Sequence, residues 1–220
     1  MYKRTLILIT LLCIMIVNKA RFAAAEPFQV WFTDLIAQEP RFTIHEIENI
    51  RQGKIICRAL DDLHCPGKGE ILFFRAYGII KLSPDECWKH LNNLAAMYQT
   101  QPLMVEVAQV PNAGPSIYLN HTLGIMGRRY RYVNRYDILP QLHVITYVLD
   151  TSRPYTVADH FGFWRLHPWE GNMSLLEHGT YMDLGFKYKP PTWLMKQITL
   201  FDFPNTIKQV RKFMTPLSPY

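Results

Sequence analysis

The histidines have the most versatile chemistry in this chain, because an imidazole can bind a metal or transfer a proton near neutral pH. The sequence has eight of them. No two are placed as H-x-x-x-H or H-x-x-E-H, the spacings that bring two metal ligands to one helix face, and there is no Cys-x-x-Cys pair. We therefore expect no metal site and no cofactor.

Tyrosines are concentrated in the segment Arg128 to Asp137, where aromatic and basic residues alternate. In a β-strand this alternation places the two kinds of residue on opposite faces. The aromatic face comprises Tyr130, Tyr132, Asn134 and Tyr136. Such a face can line a pocket for an apolar molecule, with the hydroxyls and the amide orienting its polar end. Alternatively, it fills a core beneath a helix.

The opposite face of the same segment carries Arg129, Arg131 and Arg135. A basic side chain close to an anionic lipid surface contributes about 1 kcal/mol of attraction. Peripheral contact with an anionic membrane is therefore one interpretation of this face, and a solvated strand face is the other.

Capping boxes and periodicity identify the elements that would position these side chains. Thr43 with Glu46 and Ser83 with Glu86 each have the S/T-x-x-E form of a helix start. Residues 61–69 are predicted to form a loop, and a helix interrupted at Pro204 is expected from Pro190 to Met214. The predicted strands are Lys54–Leu60, Ile71–Lys81, Leu103–Val110, Ile117–Gly124, Arg128–Asp137, Leu142–Asp150, His160–His167 and Met173–Met182. The last six predict an antiparallel meander.

The segment FWRLHPWEGNMSLLEHGTYMDLG, residues 163–185, is predicted to be a hairpin that turns at Glu170 and Gly171, and it contains no recognisable nucleophile or phosphate loop. Charge selects its register, because only one alignment places Arg165 opposite Glu177. In this register His167 faces solvent. The inward residues are Trp164, Leu166, Leu176, His178 and Met182. In the last helix, Trp193 is predicted to be buried.

An export leader is predicted at the N-terminus, since Lys3 and Arg4 precede an apolar run and Ala23–Ala25 supplies a cleavage site. Cleavage near Ala25 removes four of the 24 basic residues and none of the 18 acidic ones, which leaves 20 against 18 and a net charge of +2. This near-neutral balance argues against nucleic acid as a partner. The leader predicts a periplasmic or secreted protein.

Three cysteines follow the leader: Cys57, Cys65 and Cys87. Cys57 and Cys65 are close enough in sequence for a disulfide, but separate buried thiols are the alternative that we favour. Cys87 is predicted to be a small core residue.

The order of these elements resembles the START-like helix-grip superfamily, also called SRPBCC, which includes polyketide cyclases, dehydrases and lipid-transport proteins. Four features carry the resemblance: Ser83-Pro84-Asp85-Glu86-Cys87-Trp88, GFWRLHPWEGNMSLLEHGTYMDLG, Lys189-Pro190-Pro191 and LFDFPNTIKQVRKF. The resemblance implies an α+β fold in which a curved antiparallel sheet wraps around a long C-terminal helix. Together with the leader, it divides the chain into three predicted segments: a signal peptide over 1–25, an N-terminal extension with a short helix and strand over 26–69, and a START-like domain over 70–220.

Members of this family commonly hold an apolar molecule between the sheet and the last helix. The resemblance therefore implies a binding or carrier protein for a lipid, sterol or quinone. The residues expected to bind it are Tyr130, Tyr132, Asn134, Tyr136, Trp164, Leu166, Leu176, His178, Met182 and Trp193. A cyclase or aromatase using Tyr130, Tyr132 and His178 is a second hypothesis, and an interaction module with a filled core is a third. The sequence predicts no oligomeric state.

Overall fold

The computed structural model of the protein describes residues 27–125, 127–186 and 191–215. The predicted leader therefore lies outside the described residues. Contacts divide the described chain into two compact units, one made of residues 27–41 and 62–71 and the other of residues 42–61 and 72–215. The boundary predicted between residues 69 and 70 stays a prediction.

One antiparallel sheet organises the second unit. Its strands from β2 to β8 pair antiparallel in the order β2-β8-β7-β6-β5-β4-β3, and β1 lies beside β2. The strands are β1 (Ile56–Cys65), β2 (Gly69–Ile80), β3 (Met104–Val110), β4 (Ile117–Ile125), β5 (Arg128–Leu139), β6 (Val144–Leu149), β7 (Asp159–Trp169) and β8 (Met173–Asp183). The predicted meander of six strands is confirmed. At the β3 edge, the pairing with β4 shifts between Met104 and Glu106, so Val105 lies in a bulge.

The loop predicted over residues 61–69 is wrong for its first half, because β1 continues to Cys65. The turn that follows is tight: Lys68 N–H donates to Cys65 O at 3.0 Å, and Gly67 has a φ of 77° that glycine tolerates without strain. Polar residues in β1 interrupt the alternation of apolar and polar side chains, so periodicity did not predict the full length of the strand.

The described residues form five α-helices. They are α1 (27–37), α2 (Ile44–Arg51), α3 (Pro84–Leu91), α4 (Leu94–Gln99) and α5 (Thr192–Met214). Both predicted capping boxes are confirmed at the starts of α2 and α3. Helix α5 continues through Pro204 and is not interrupted there. Phe203 and Ile207 are buried on either side of this proline and hold the helix against the sheet.

The register predicted for the hairpin is confirmed, since Arg165 pairs with Glu177 and Leu166 with Leu176. Trp164, Leu166 and Leu176 lie in the main core together with Ile207 and Val210 of α5. The sheet thus buries its inner face against the C-terminal helix, as the helix-grip resemblance implies. In the described part of the chain, no helix is both long enough and apolar enough to cross a membrane.

The outer face of β2, β7 and β8 is also buried. Ile50 of α2 packs with Tyr77 and Leu175 in a second cluster. Phe73 and Phe163, which stack at 6.3 Å between ring centroids, have no exposed surface. The three described cysteines are free thiols, and Cys87 is buried as predicted.

A charged cluster lies within this outer layer. Arg75 Nη1 donates to Glu177 Oε1 at 3.1 Å, and His167 Nε2 lies 2.8 Å from Glu177 Oε2. Glu177 is completely buried, and Arg75 and His167 are 4% and 9% exposed. The prediction that His167 faces solvent is therefore wrong, because a second layer of side chains covers the sheet at this point.

Candidate functional site

A cavity of about 300 Å³ lies between α5 and the inner face of the sheet. Strands β3 to β8 form one wall, α5 forms the opposite wall, and the segment between α4 and β3 closes one side. The lining residues are Tyr98, Gln101, Pro102, Leu103, Met104, Leu123, Ile125, Tyr132, Tyr147, His160, His178, Thr180, Met182, Leu184, Met195, Thr199, Asp202, Phe203 and Thr206. Leu103 is 51% exposed, so this residue marks the mouth.

Three of the residues predicted to bind a ligand line this cavity: Tyr132, His178 and Met182. Trp164, Leu166 and Leu176 face the same side of the sheet but lie in the solid core beside it. Tyr130 packs with Leu123 in a smaller cluster. Part of the predicted set therefore lines the cavity, whereas Trp164, Leu166, Leu176 and Tyr130 pack beside it.

Trp193 does not belong to this set, and its predicted burial is wrong. The side chain is 62% exposed near the start of α5. Met195 and Thr199, farther along the helix, face the cavity instead. Helical spacing alone could not identify the buried side of this first turn.

The wall opposite α5 is built from one row of paired residues that crosses the sheet. Tyr136 pairs with Tyr147, Tyr147 with Gly162, and Gly162 with Thr180. A Cβ on Gly162 would collide with the Tyr147 hydroxyl and the Gly179 carbonyl. The absence of a side chain at this position lets the Tyr147 ring lie across strand β7 and reach strand β8.

The Tyr147 hydroxyl contacts two polar side chains of strand β8 at the polar end of the cavity. It lies 3.0 Å from His178 Nε2 and donates to Thr180 Oγ1 at 2.9 Å. The His178 ring stacks on the Trp164 indole, with ring centroids 3.7 Å apart and planes 2° from parallel. Trp164 Nε1–H in turn donates to Tyr98 Oη at 2.9 Å. The predicted hydrogen bond of His178 in a core or pocket is confirmed.

A second group of polar contacts lies beside this row on the same face of the sheet. Tyr136 Oη is 2.8 Å from His121 Nε2, and Asn134 Nδ2 is 2.9 Å from His160 Nδ1. His121 stacks on Tyr132, with centroids 5.0 Å apart. Asn134 and Tyr136 are completely buried, so these two predicted ligand residues support the cavity lining and do not contact the cavity.

Burial keeps the histidines and tyrosines of this site uncharged near neutral pH. It lowers the pKa of His178 and of His121 to about 3, and it lowers the pKa of His160 well below the usual value of a histidine. It also raises the pKa of Tyr98 to about 12. The histidines are therefore neutral and the tyrosines protonated, because neither charged form has a counter-charge in this apolar surrounding.

This arrangement can bind and orient a polar group, but it is poorly suited to acid–base chemistry at neutral pH. A general acid or base works best when its pKa lies near the operating pH, and burial moves these histidines far from that range. Within the described residues there is no group of three or more His, Cys, Asp or Glu side chains placed to hold a metal ion.

Sequence reasoning missed several residues of the site, although strand alternation could have found some of them. His160 lies two and four residues before Gly162 and Trp164 on β7, and Thr180 follows His178 by two on β8. Counting by two from the inward residues of the hairpin reaches both. Gln101 precedes β3 in an irregular segment, and no periodic signal marks it.

No protein-family model and no curated protein matches the chain in sequence. Several solved structures do resemble it. Human StAR-related lipid transfer protein 5 has a TM-score of 0.55 at 10% identity, over 89% of this chain and 98% of that one. A STAR-related lipid transfer protein from Xanthomonas axonopodis has a TM-score of 0.56 at 16% identity, over 73% and 92%.

An enzyme also shares this architecture. The Zhui aromatase/cyclase from Streptomyces sp. R1128 has a TM-score of 0.54 at 11% identity, over 74% of this chain and 97% of that one. Similarity at such low sequence identity indicates a shared fold but does not indicate a shared activity. Together with the eight-stranded sheet and the helix α5 that closes it, these likenesses show that the chain has the START-like, or SRPBCC, helix-grip fold.

Proposed function

We propose that this chain is an exported binding or carrier protein for an apolar small molecule of the lipid, sterol or quinone type. The cavity between the sheet and α5 carries this proposal. Its volume of about 300 Å³ is at the lower end of the range of about 300–1,000 Å³ for small-molecule pockets. A ligand of compact cross-section fits such a space, and its apolar body would contact residues such as Leu123, Ile125 and Met182.

The two other hypotheses are less favoured. A filled-core interaction module is less consistent with an open cavity lined by nineteen residues. A cyclase or aromatase needs a group that exchanges protons near the working pH, and His178, with a pKa of about 3, does not meet this need. Two of the similar folds are lipid transfer proteins, which supports binding without chemistry.

Filling the cavity should test the proposal directly. Thr199 faces the cavity from α5, so Thr199→Trp should occupy part of the ligand's space. We expect the affinity for Nile red, an uncharged apolar dye, to fall by at least about tenfold, and less co-purified lipid to be found by mass spectrometry. Lys208→Trp, at an exposed position of the same helix, is the matched control and should bind normally.

Both variants should melt near the temperature of the unmodified protein, which separates a blocked cavity from an unfolded domain. Binding by Thr199→Trp at full strength would contradict the proposed location. Absence of dye binding and of co-purified lipid in the unmodified protein would contradict the proposed function.

We further propose that the cavity mouth contacts an anionic membrane. Leu103 and Val105 are 51% and 48% exposed, and Val105 lies against Gly124, which pairs with Arg129. Arg131 follows on the same exposed face. Arg135 is excluded from this surface, because it forms an ion pair with Asp137 at 3.2 Å. Apolar side chains beside basic ones suit the boundary between lipid headgroups and acyl chains.

Reversing the two arginines should weaken this contact. At about 1 kcal/mol for each basic residue, Arg129→Glu with Arg131→Glu should reduce binding to vesicles containing phosphatidylserine by more than about thirtyfold. Lys208→Glu with Lys212→Glu makes the same charge change on α5 and should have a much smaller effect. Equal losses in both pairs would show that only net charge matters.

The proposed export is supported by the leader sequence over residues 1–25.

A further inference from the structure

We propose that the ligand of this cavity is an uncharged molecule that carries a hydroxyl group, and that the cavity discriminates against carboxylates and ketones. This inference rests on the proposed binding function and narrows the class of ligand. Three features of the lining support this inference: its charge, its polar atoms without hydrogen-bond partners, and whether those atoms can donate or accept a hydrogen bond.

The charge of the lining disfavours an anionic ligand. Among the described residues that line the cavity, there is no lysine or arginine, and Asp202 is the one with a carboxyl side chain. A carboxylate or phosphate would lose its hydration without gaining a counter-charge. It would also face the Asp202 carboxylate, which already accepts a hydrogen bond from Asn205 at 3.0 Å.

Two polar side chains of the lining are more than nine-tenths buried and have an atom without a hydrogen-bond partner among the described residues. These atoms are His178 Nδ1 and Gln101 Oε1, on side chains that are 6% and 8% exposed. Buried polar atoms in folded proteins nearly always have partners. Because both side chains line the cavity, a bound ligand is well placed to supply them.

The available roles of these atoms define the ligand's polar group. Gln101 Nε2 donates to Met97 O at 3.4 Å, which assigns the unpartnered atom of this amide as the oxygen, an acceptor. A ligand must therefore donate to Gln101. The Tyr147 hydroxyl donates to Thr180, so His178 Nε2 donates to Tyr147, and Nδ1 of the neutral ring is left as an acceptor. A hydroxyl can donate to either atom, whereas a ketone can donate to neither.

Four compounds with ten carbon atoms each can test this selectivity in the full-length protein. We expect 1-decanol to displace Nile red at concentrations at least about tenfold below those needed for decanoate or 2-decanone at neutral pH. The hydrocarbon n-decane measures the apolar contribution alone. Tighter displacement by decanoate, or equal displacement by all four compounds, would overturn the inference while leaving the binding function standing.

Substitution of Gln101 adds a second readout. Gln101→Leu should weaken 1-decanol by about three- to tenfold relative to n-decane. Gln109→Leu makes the same exchange at an exposed site on β3 and should leave all affinities unchanged. An unchanged 1-decanol affinity in Gln101→Leu would overturn the assigned role of Gln101. If neither Nile red nor any alkyl compound binds the unmodified protein, the proposed function itself fails, and this inference fails with it.

Discussion

Replacing Glu177 by alanine should lower the free energy of unfolding by about 3–5 kcal/mol, the usual cost of breaking a buried ion pair from one side. The carboxylate has no exposed surface and contacts both Arg75 and His167. Its removal leaves the Arg75 guanidinium in the aromatic layer, where it lies 5.5 Å from the centre of the Phe163 ring. Urea denaturation at neutral pH, followed by circular dichroism, measures the loss.

Glu170 provides the matched control in the same hairpin. It forms an ion pair with Arg51 at 2.5 Å, but both side chains are more than half exposed. Water and salt screen such a pair, so Glu170→Ala should barely move the urea midpoint. Equal midpoints for Glu170→Ala and Glu177→Ala would mean that the buried cluster contributes nothing to stability.

Acid should destabilise the fold with a similarly large effect. A histidine in an unfolded chain has a pKa of about 6.5, whereas in the folded chain the pKa is about 3 for His121 and His178 and well below 6.5 for His160. Between these values the unfolded state binds more protons than the folded state. Stability is therefore fully present above about pH 6.5 and falls as the pH decreases toward about 3.

Each of these histidines should remove about 1.4 kcal/mol per pH unit once the pH is well below 6.5. Three of them together give about 6 kcal/mol at pH 5, which is comparable with the whole stability of a small domain. Urea midpoints measured from pH 7.5 down to pH 5 give the slope. His178→Phe cannot take up a proton and should reduce this slope by about one third. The same slope in the variant and the unmodified protein would refute the proposed origin of the acid sensitivity.

The outcome for the hairpin shows what local sequence could predict. A single opposite-charge pair, Arg165 with Glu177, selected the correct register, and the register placed Trp164 and His178 inside. Period-two alternation likewise placed Tyr132 on the inner face of β5. These predictions succeeded because each depends on neighbours along one strand or across one turn.

The predictions that failed depend on what covers an element from elsewhere in the chain. Alternation placed His167 and Glu177 on the outer face correctly, but it could not indicate that aromatic rings and α2 would bury this face. Trp193 is exposed for the converse reason, since nothing in the helical pattern of α5 shows where the sheet ends. Gln101 belongs to the cavity only because an irregular segment crosses its side.

The bulge at Val105 also has a consequence for the solubility of the folded chain. Strand β3 lies at one end of the sheet and, among the described strands, pairs with β4 alone, so its other side presents backbone groups that could recruit a strand from a second copy. The bulge breaks the regular spacing of those groups, and the exposed Glu106 beside it places a charge on the edge. We therefore expect this edge to resist edge-to-edge aggregation, even though two exposed apolar side chains lie next to it.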